Sequence, residues 1–307
     1  MCDDGRVSET TNTDLDSCSP PPADGWVALT VAGRAVARAV GHDPAGTLLA
    51  SDVDGTLSPI VADPTRAAVS ERARRALAGL DGRVGTLAVI TGRPVARARE
   101  MVDVDRRGGL DHMVMLGLYG VERYDVGTGQ LQVPEPPAVM GQARHRLQEA
   151  VDRAVAADPA MAGTMVEDKG SAVVLHTRRA VEHDRALALL GPVARDLAGE
   201  LGLAVEEGRD VVELKAWQTT KGDALRRLIA ERRPSVLLMC GDDLGDLPAM
   251  AVVEEWIGEG RPGARVVSWS AEQPRVARSA DVLCDGPEGV AAFLDEISGQ
   301  ITESSTM

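Results

Sequence analysis

Aromatic side chains are scarce in this sequence of 307 residues, since they account for 2% of the chain and include a single phenylalanine. The core must therefore be built from Val, Leu, Ile and Ala, a composition that suits parallel strands covered by alanine-rich helices. Cysteine is rare too, and the four cysteines show no metal-like spacing. The sequence thus indicates neither a zinc site nor a disulfide framework, and it fits a reducing cytoplasm.

Long apolar runs are also absent. No run is long enough to span a membrane, and the N-terminus lacks the basic-then-apolar order of a signal peptide. We therefore expect a soluble, cytoplasmic protein without a membrane partner.

Positive charge is in deficit, because 33 Lys and Arg residues face 47 Asp and Glu residues, which gives a formal net charge of −14. Such a charge opposes binding to a nucleic-acid backbone. An anionic substrate would need a local positive site built against this field. We expect no nucleic-acid partner, and we expect the protein to be a monomer.

The residue pattern divides the chain into a larger core, an inserted block and two tails. From Leu48, short apolar runs alternate with helical segments, an order that predicts a parallel sheet with crossover helices. A block with two helices and three strand-like runs interrupts this order, which predicts a small inserted α+β unit. The predicted boundaries are 1–24 for an acidic, proline-rich disordered tail, 25–134 for the first part of the core with an N-terminal helix, 135–208 for the inserted unit, 209–298 for the second part of the core and 299–307 for a C-terminal tail.

The segment "LLASDVDGTL" ends an apolar run with two carboxylates, Asp52 and Asp54. Residues i and i+2 of an extended segment point to the same side, so these carboxylates repel each other. Taken alone, an Asp before Gly-Thr is also common in turns and helix caps, and that structural interpretation stays open. In the functional interpretation, Asp52 attacks phosphorus, while Asp54 protonates the leaving alcohol and then takes a proton from water.

Two other apolar runs of the larger part end in reactive residues, at "VITGRP" and "MCGDDLGD". Ligands bind at the carboxyl ends of the strands of an open parallel sheet, so the three tips are predicted to converge. Several carboxylates would then lie close together and repel one another, namely those of Asp52, Asp54, Asp242 and Asp246. A hard cation bound through their oxygen atoms would relieve this repulsion, which favours Mg²⁺. For Asp243, a solvated loop position and a role in the site are both open.

Thr91 ends the run "LAVIT", and Lys221 begins a helix after "QTT". A hydroxyl and an ammonium at these positions are predicted to reach the oxygens of a transferring phosphoryl group. A helix cap for Thr91 and a surface position for Lys221 are the structural alternatives.

This order of motifs resembles the haloacid dehalogenase superfamily of aspartyl-phosphate phosphatases. The matching stretches are "DVDGT", Thr91, Lys221 and "GDDLGD", and the resemblance covers the chain from Leu48 to about Phe293. It implies an α/β fold in which a Rossmann-like core with a parallel sheet carries a smaller inserted α+β cap domain. It also implies a Mg²⁺-dependent phosphomonoester hydrolase that works through an aspartyl-phosphate.

Within that superfamily the chain is similar to trehalose-6-phosphate phosphatases. The similar stretches are "DVDGTLSPIVADP", "ITGRP", "GLYGVE", "VEDKGSAVVLHTR" and "GRDVVELKAWQTTKGDAL". The similarity implies that Arg93, Glu167 and Lys169 bind a sugar phosphate, the last two from a cap that closes over a disaccharide. Without the family, Glu167 and Lys169 also fit an exposed charge pair at a hairpin.

Three positions depart from the usual pattern of these phosphatases. Gly245 and Leu247 stand where the fourth motif commonly reads Thr and Glu, and Thr177 follows His176 in place of an aromatic residue. The departures leave Asp242 and Asp246 in place. They concern the details of sugar recognition.

Hydrolysis of trehalose-6-phosphate to trehalose and phosphate, a step of trehalose biosynthesis, is the function that the sequence favours. Another sugar-phosphate phosphatase of the superfamily, acting for example on sucrose-phosphate or on glucosyl- or mannosyl-phosphoglycerate, would share the core motifs, and so would a phosphomutase. A catalytically silent regulatory domain is the alternative from another class. It is disfavoured because such a domain has no chemical need for intact Asp52, Asp54, Lys221 and Asp242.

Overall fold

The structure of the chain, a computed structural model, describes residues 21–270 and 273–304. The disordered tail predicted for residues 1–24 lies outside the described residues as far as residue 20, and the C-terminal tail does so beyond residue 304. In chain order the described strands are β1 (Trp26–Ala28), β2 (Thr47–Ser51), β3 (Thr86–Ile90), β4 (Val114–Gly117), β5 (Glu122–Asp125), β6 (Gln130–Gln132), β7 (Met165–Asp168), β8 (Ala172–His176), β9 (Ala204–Gly208), β10 (Val211–Lys215), β11 (Val236–Gly241), β12 (Gly263–Ser268) and β13 (Val282–Cys284).

The described α-helices are α1 (Val31–His42), α2 (Glu71–Leu80), α3 (Val95–Val102), α4 (Val104–Arg107), α5 (Val139–Ala157), α6 (His183–Leu201), α7 (Lys221–Arg232), α8 (Leu247–Gly258), α9 (Pro274–Ala277) and α10 (Gly286–Ser304). None of the helices in the described ranges combines the length and the apolar character needed to cross a membrane. The elements fall into two compact units, one with the residues up to Gln132 and from Thr220 onwards, the other with Val133–Thr219.

A mainly parallel sheet forms the first unit. Its strand order is β1-β13-β12-β11-β2-β3-β4-β5-β6. The block from β13 to β4 is parallel, while β1 at one edge and the β5–β6 hairpin at the other pair antiparallel. This arrangement confirms the predicted α/β core, and it brings the carboxyl ends of β11, β2 and β3 side by side.

Apolar side chains on both faces of the sheet bury its central strands, and every residue of β2, β3 and β11 is buried. Helices α1, α2, α3 and α10 cover one face with residues such as Val40, Leu77 and Phe293. Helices α7, α8 and α9 cover the other with residues such as Leu225 and Val253. Burial on both faces explains why these strands are continuous apolar runs.

An antiparallel sheet in the order β7-β8-β10-β9 forms the second unit, together with the two long helices α5 and α6. The helices pack on one face of this sheet through Val173, Leu175, Val212 and Leu214, which alternate along β8 and β10 as period-two patterning requires. This is the α+β architecture that the sequence predicted for the inserted block.

The element boundaries differ from the prediction at three places. Residues 26–28 form a strand ahead of the N-terminal helix. The second unit runs to Thr219 rather than to 208, because β10 pairs with β8 and β9 and not with the large sheet. Helix α10 continues to Ser304, past residue 298 where the core was predicted to end, and Ile301 is buried against the core.

Candidate active site

Asp52 is the residue that follows β2, at the carboxyl edge of the large sheet. Its backbone N–H donates to the carbonyl oxygen of Cys240 on β11 at 2.9 Å, so the tips of both strands stay in register. The side chain is almost completely buried, at 6% exposure. A carboxylate at this position is presented by two rigid strands rather than by a loop.

The chain turns sharply after Asp52, and Gly55 makes this turn possible. Gly55 has a φ of 72°, and a Cβ atom built on it would lie 2.0 Å from a carboxylate oxygen of Asp242. Glycine satisfies both the left-handed backbone and the close approach. The Thr56 hydroxyl donates to Asp242 Oδ1 at 2.9 Å, and the Ser268 hydroxyl donates to the Gly55 carbonyl at 2.7 Å, which ties the turn to β11 and β12.

Lys221 joins two carboxylates from separate strand tips. Its Nζ lies 2.9 Å from Asp52 Oδ2 and 2.8 Å from Asp246 Oδ1, and its side chain is 4% exposed. A capping box between Thr220 and Asp223 starts α7 at this residue, so the helix end fixes the ammonium. Burial alone would lower the pKa of Lys221. The two carboxylates raise this pKa by more than burial lowers it, so the net pKa lies above the usual value. Lys221 therefore carries a fixed positive charge, and the surface alternative is wrong.

The carboxylate of Asp246 organises the turn after β11. Its Oδ2 accepts the backbone N–H groups of Asp242 at 3.0 Å and Asp243 at 3.1 Å, while Oδ1 accepts Lys221. A Cβ atom on Gly241 would lie 2.4 Å from Asp246 Cγ, so the strand must end in glycine here. Asp246 is thus fully hydrogen-bonded within the protein.

Negative charge is in excess at the sheet edge. Burial raises the pKa of Asp52 well above its ordinary value, and although Lys221 lowers it, Asp246 raises it again. Burial and, to a smaller extent, repulsion from Asp246 raise the pKa of Asp242 to about 7, although the hydrogen bond from Thr56 lowers it. A bound cation would relieve this repulsion and restore the ionised carboxylates.

Arg93 holds Asp54 in a bidentate pair. Arg93 Nε and Nη2 donate to the two oxygens of Asp54, each at 2.9 Å. Thr91, at the end of β3, accepts the backbone N–H of Arg93 through Oγ1 at 3.1 Å and is 1% exposed. The threonine therefore shapes the loop that carries Arg93, but it does not cap a helix, because the N-cap residue of α3 is Pro94.

A cavity of about 350 Å³ opens at this edge of the sheet. Its polar lining includes Asp54, Arg93, Asp242 and Asp243. Ile60, Val61 and Ala67 form its apolar wall, where Ile60 is 63% exposed. Three of the predicted site residues, Asp54, Arg93 and Asp242, thus line a concave space of the size that holds a small ligand.

A family model described as trehalose-phosphatase matches residues 50–282, which include this entire edge of the sheet. The chain belongs to the trehalose-phosphatase family. It is 30% identical over 226 residues to the trehalose-6-phosphate phosphatase of Escherichia coli, which covers 71% of this chain and 79% of that protein. The trehalose-phosphate phosphatase of Mycobacterium marinum is 29% identical over 311 residues, or 96% of this chain and 73% of that protein.

Solved structures show the same fold at lower identity. Aspergillus fumigatus trehalose-6-phosphate phosphatase aligns with a TM-score of 0.64 and 21% identity over 87% of this chain and 97% of that one. A haloacid dehalogenase-like hydrolase from Bacteroides thetaiotaomicron aligns with a TM-score of 0.54 and 15% identity, over 82% and 99%. As a trehalose-phosphatase family member, the chain is a phosphomonoester hydrolase with a haloacid dehalogenase-like fold, which confirms the predicted resemblance.

Carboxylate oxygens for a cation lie close together in this trehalose-phosphatase family member. One oxygen each from Asp52, Asp243 and Asp246 lies within 4.8 Å of the others. The metal ligands predicted from the sequence share Asp52 and Asp246 with this cluster, but they include Asp54 and Asp242 and do not include Asp243. Asp54 is held by Arg93, whereas Asp242 has one oxygen beside Gly55. Metal binding at this cluster stays a prediction.

The predicted sugar contacts of this family member, Glu167 and Lys169, belong to the second unit. Glu167 lies on β7, and its Oε2 is 2.7 Å from His176 Nε2 on β8. Lys169 follows β7, and its Nζ is 3.5 Å from Glu213 Oε1 on β10. Both charges are partnered within the sheet, and their binding to a sugar stays a prediction.

Sequence reasoning missed three residues that shape the site. Thr56 and Ser268 fix the turn after Asp52, and a carboxylate oxygen of Glu122 accepts the backbone N–H of Val95 at 2.6 Å. Thr56 stands inside the "DGT" motif and could have been found by its spacing from Asp52. Ser268 ends a plain apolar run, so its pattern contains no signal.

Proposed function

We propose that this protein hydrolyses trehalose-6-phosphate to trehalose and phosphate through an aspartyl-phosphate on Asp52. The observation that carries the proposal is the buried contact of Lys221 with Asp52 and Asp246 at the edge of the sheet, in a member of the trehalose-phosphatase family. A carboxylate there is a nucleophile, and a fixed ammonium beside it favours the approach of a phosphate dianion.

In the first step, a carboxylate oxygen of Asp52 forms a bond to phosphorus and the bond from phosphorus to the sugar oxygen breaks. Asp54, protonated once Arg93 shares its contact with the arriving phosphate, gives its proton to that leaving oxygen, so trehalose departs as the neutral alcohol. In the second step, water attacks the aspartyl-phosphate while Asp54 takes a proton from it. Phosphate leaves, and the Asp52 carboxylate is restored.

Lys221 and Thr91 support both steps in this proposal. The Lys221 ammonium lies 2.9 Å from the attacking carboxylate and stabilises charge on the adjacent phosphoryl oxygens. Thr91 is buried at the end of β3, where its hydroxyl oxygen accepts the N–H of Arg93 and its proton stays free for a phosphoryl oxygen.

The acidic cluster fits a hard divalent cation, and we propose Mg²⁺. The donors are oxygen atoms, and the raised pKa values of Asp52 and Asp242, caused first by burial and then by repulsion from Asp246, support a bound cation. Asp52 and Asp242 would hold the ion, with Asp54, Asp246 and the alternative Asp243 next to them. When bound, Mg²⁺ supplies Lewis-acid polarisation of the phosphoryl group and shields the nucleophile from it.

Sugar selectivity must come from groups outside this phosphate site, because the core treats phosphomonoesters much alike. We propose that Glu167 and Lys169 hydrogen-bond sugar hydroxyls. Arg93 is proposed to reach the phosphate, which requires its guanidinium to share or exchange its contact with Asp54.

Phosphate release from a panel of sugar phosphates tests the proposal. We expect the highest kcat/KM with trehalose-6-phosphate, lower values with sucrose-6-phosphate and glucose-6-phosphate, and no turnover after chelation until Mg²⁺ is restored. Transfer of the phosphoryl group to a second sugar without free phosphate would identify a mutase and contradict the proposal. A preference for sucrose-6-phosphate would overturn the substrate and leave the phosphatase chemistry standing.

A further inference from the structure

The segment between β4 and β5 contains backbone strain outside the residues of the proposed mechanism. Leu118 and Tyr119 have φ values of 48° and 58°, and Gly120 follows at 88°. Consecutive left-handed residues other than glycine are rare and cost free energy, and such strain concentrates at functional positions. The segment, residues 117–122, reads "GLYGVE" and has no role so far.

The strained conformation aims this segment at the loop that carries Arg93. The N–H of Leu118 donates to the carbonyl of Arg93 at 2.9 Å, and the N–H of Tyr119 donates to the carbonyl of Thr91 at 3.0 Å. A Cβ atom on Gly92 would lie 2.8 Å from the Tyr119 ring, so the two segments touch along their length. The backbone on both sides of Gly92 is therefore fixed by its neighbour.

Glu122 completes this contact at the start of α3. Its Oε2 accepts the N–H of Val95 at 2.6 Å, only two residues after Arg93. Helix α3 makes no capping bond from its own N-cap residue, Pro94, so the carboxylate from β5 takes that place. A negative charge at a helix N-terminus is favourable, which strengthens the bond.

We propose that Glu122 is a positioning residue for Arg93, and through Arg93 for Asp54. The inference rests on the proposed function, because it assigns importance to the orientation of Asp54. Glu122 fixes the peptide that follows Arg93, Leu118 fixes the Arg93 carbonyl, and Thr91 fixes the Arg93 N–H. With its backbone held at these points, Arg93 meets both oxygens of Asp54 in one geometry.

Loss of the Glu122 carboxylate should therefore lower the rate of proton transfer more than substrate binding. A misplacement of about 1 Å at a reacting group costs up to about 100-fold in rate. We expect Glu122→Ala to lower kcat by about 10–100-fold with KM within about threefold. Glu122→Gln keeps an oxygen acceptor for Val95 and should stay within about threefold of the unchanged protein in kcat.

The decisive experiment is a double-mutant cycle between Glu122→Ala and Arg93→Ala. We expect the Glu122→Ala loss in kcat to shrink to less than about threefold on the Arg93→Ala background, because the residue acts through Arg93. Ser70→Ala is the matched control, since it removes the cap of α2 in the same unit by deleting the acceptor for the Ala73 N–H. It should lower the melting temperature and leave kcat unchanged.

The cycle is measured with trehalose-6-phosphate and with glucose-6-phosphate, whose sugar oxygen also needs a proton to leave. An equal Glu122→Ala loss with and without Arg93, or a kcat within about twofold of the unchanged protein, would overturn the inference. If Glu122→Ala does not fold, Val95→Pro removes the N–H donor of the same bond at a helix position that accepts proline, and the same criteria apply to it. Absence of turnover with trehalose-6-phosphate alone would count against the proposed substrate, whereas the cycle with glucose-6-phosphate would still decide the role of Glu122.

Discussion

Replacement of Asp52 by Asn should abolish turnover and at the same time stabilise the metal-free protein. The Asp52 carboxylate gains about 6 kcal/mol from Lys221 at 2.9 Å, for an effective dielectric constant of about 20. Asp246 and Asp243 lie within 4.8 Å and each repel it by about 3 kcal/mol or more, somewhat less for the exposed Asp243. Burial adds a further cost, so the ionised carboxylate is unfavourable without a cation.

Asparagine is nearly isosteric and keeps an oxygen that accepts the Lys221 ammonium. We therefore expect Asp52→Asn to raise the free energy of unfolding by about 1–2 kcal/mol in chelator, or the melting temperature by about 2–8 °C. Phosphate release should fall to background because the amide cannot attack phosphorus. Added Mg²⁺ should stabilise the unchanged protein more than the variant, because the variant offers one carboxylate fewer.

Thermal unfolding in chelator and in Mg²⁺, combined with phosphate release on the same samples, tests both halves of this prediction. A variant that is less stable than the unchanged protein in chelator would refute the charge argument. Turnover at the unchanged rate by a folded Asp52→Asn protein would refute the mechanism.

Four other outcomes follow from the same structure. Asp54→Asn should lower kcat by about 10²–10⁴-fold, measured by phosphate release, and an unchanged rate would remove Asp54 from the mechanism. Asp242→Ala should raise the Mg²⁺ concentration needed for half-maximal activity or abolish activity, and an unaltered Mg²⁺ titration would exclude it as a ligand. Lys169→Ala should lower kcat/KM on trehalose-6-phosphate by about 10–150-fold and leave an aryl phosphate nearly unaffected; equal losses would contradict its role in sugar recognition. Asp281→Asn should destabilise the core by about 1.5–3 kcal/mol, since it removes the charged hydrogen bond to Arg265 at 2.8 Å and leaves Glu254, 3.1 Å from Arg265, as the remaining carboxylate partner. Burial raises the pKa of Asp281, but hydrogen bonds led by Arg265 lower it by more, so the net pKa lies below its usual value. The stabilisation from Asp281 is therefore present at neutral pH and is lost as the pH falls below about 4. Denaturant unfolding of both proteins from neutral pH to below about pH 4 is the check. A difference in the free energy of unfolding that does not change with pH would refute the role of the Asp281 carboxylate.

The sequence predicted the parallel sheet because buried central strands are continuous apolar runs separated by helices of recognisable period. It placed the end of the inserted unit too early, because "VVELK" resembles a strand of either sheet. The pairing of β10 with β9, which ends only a few residues earlier in the chain, and with the more distant β8 decides the matter, and an apolar pattern does not by itself identify a strand's partners. The apolar pattern of a sequence therefore identifies strands better than it assigns them to sheets.

The candidate site was predictable to the extent that it depends on strand ends. Asp52, Thr91 and Asp242 come directly after buried strands, and parallel topology alone brings such tips together. The pairing of Arg93 with Asp54 and the complete engagement of Asp246 were not predictable. They depend on distances of a few ångströms between side chains from separate loops, which residue types and spacing do not determine.

The charge balance of the site links it to the overall acidity of the chain. A phosphate dianion that approaches a protein of net charge −14 meets several carboxylates and the cations Lys221 and Arg93 at the strand tips. Both cations are already paired with Asp52 and Asp54, the carboxylates proposed to react. The protein's own positive charge is therefore largely neutralised before substrate arrives, and attraction of the phosphate requires positive charge from outside the chain. This is the physical reason to expect that a divalent cation is needed for binding as well as for chemistry, so chelation should weaken the affinity for inorganic phosphate, measured by calorimetry on the unchanged protein, for which phosphate is the product and is not turned over.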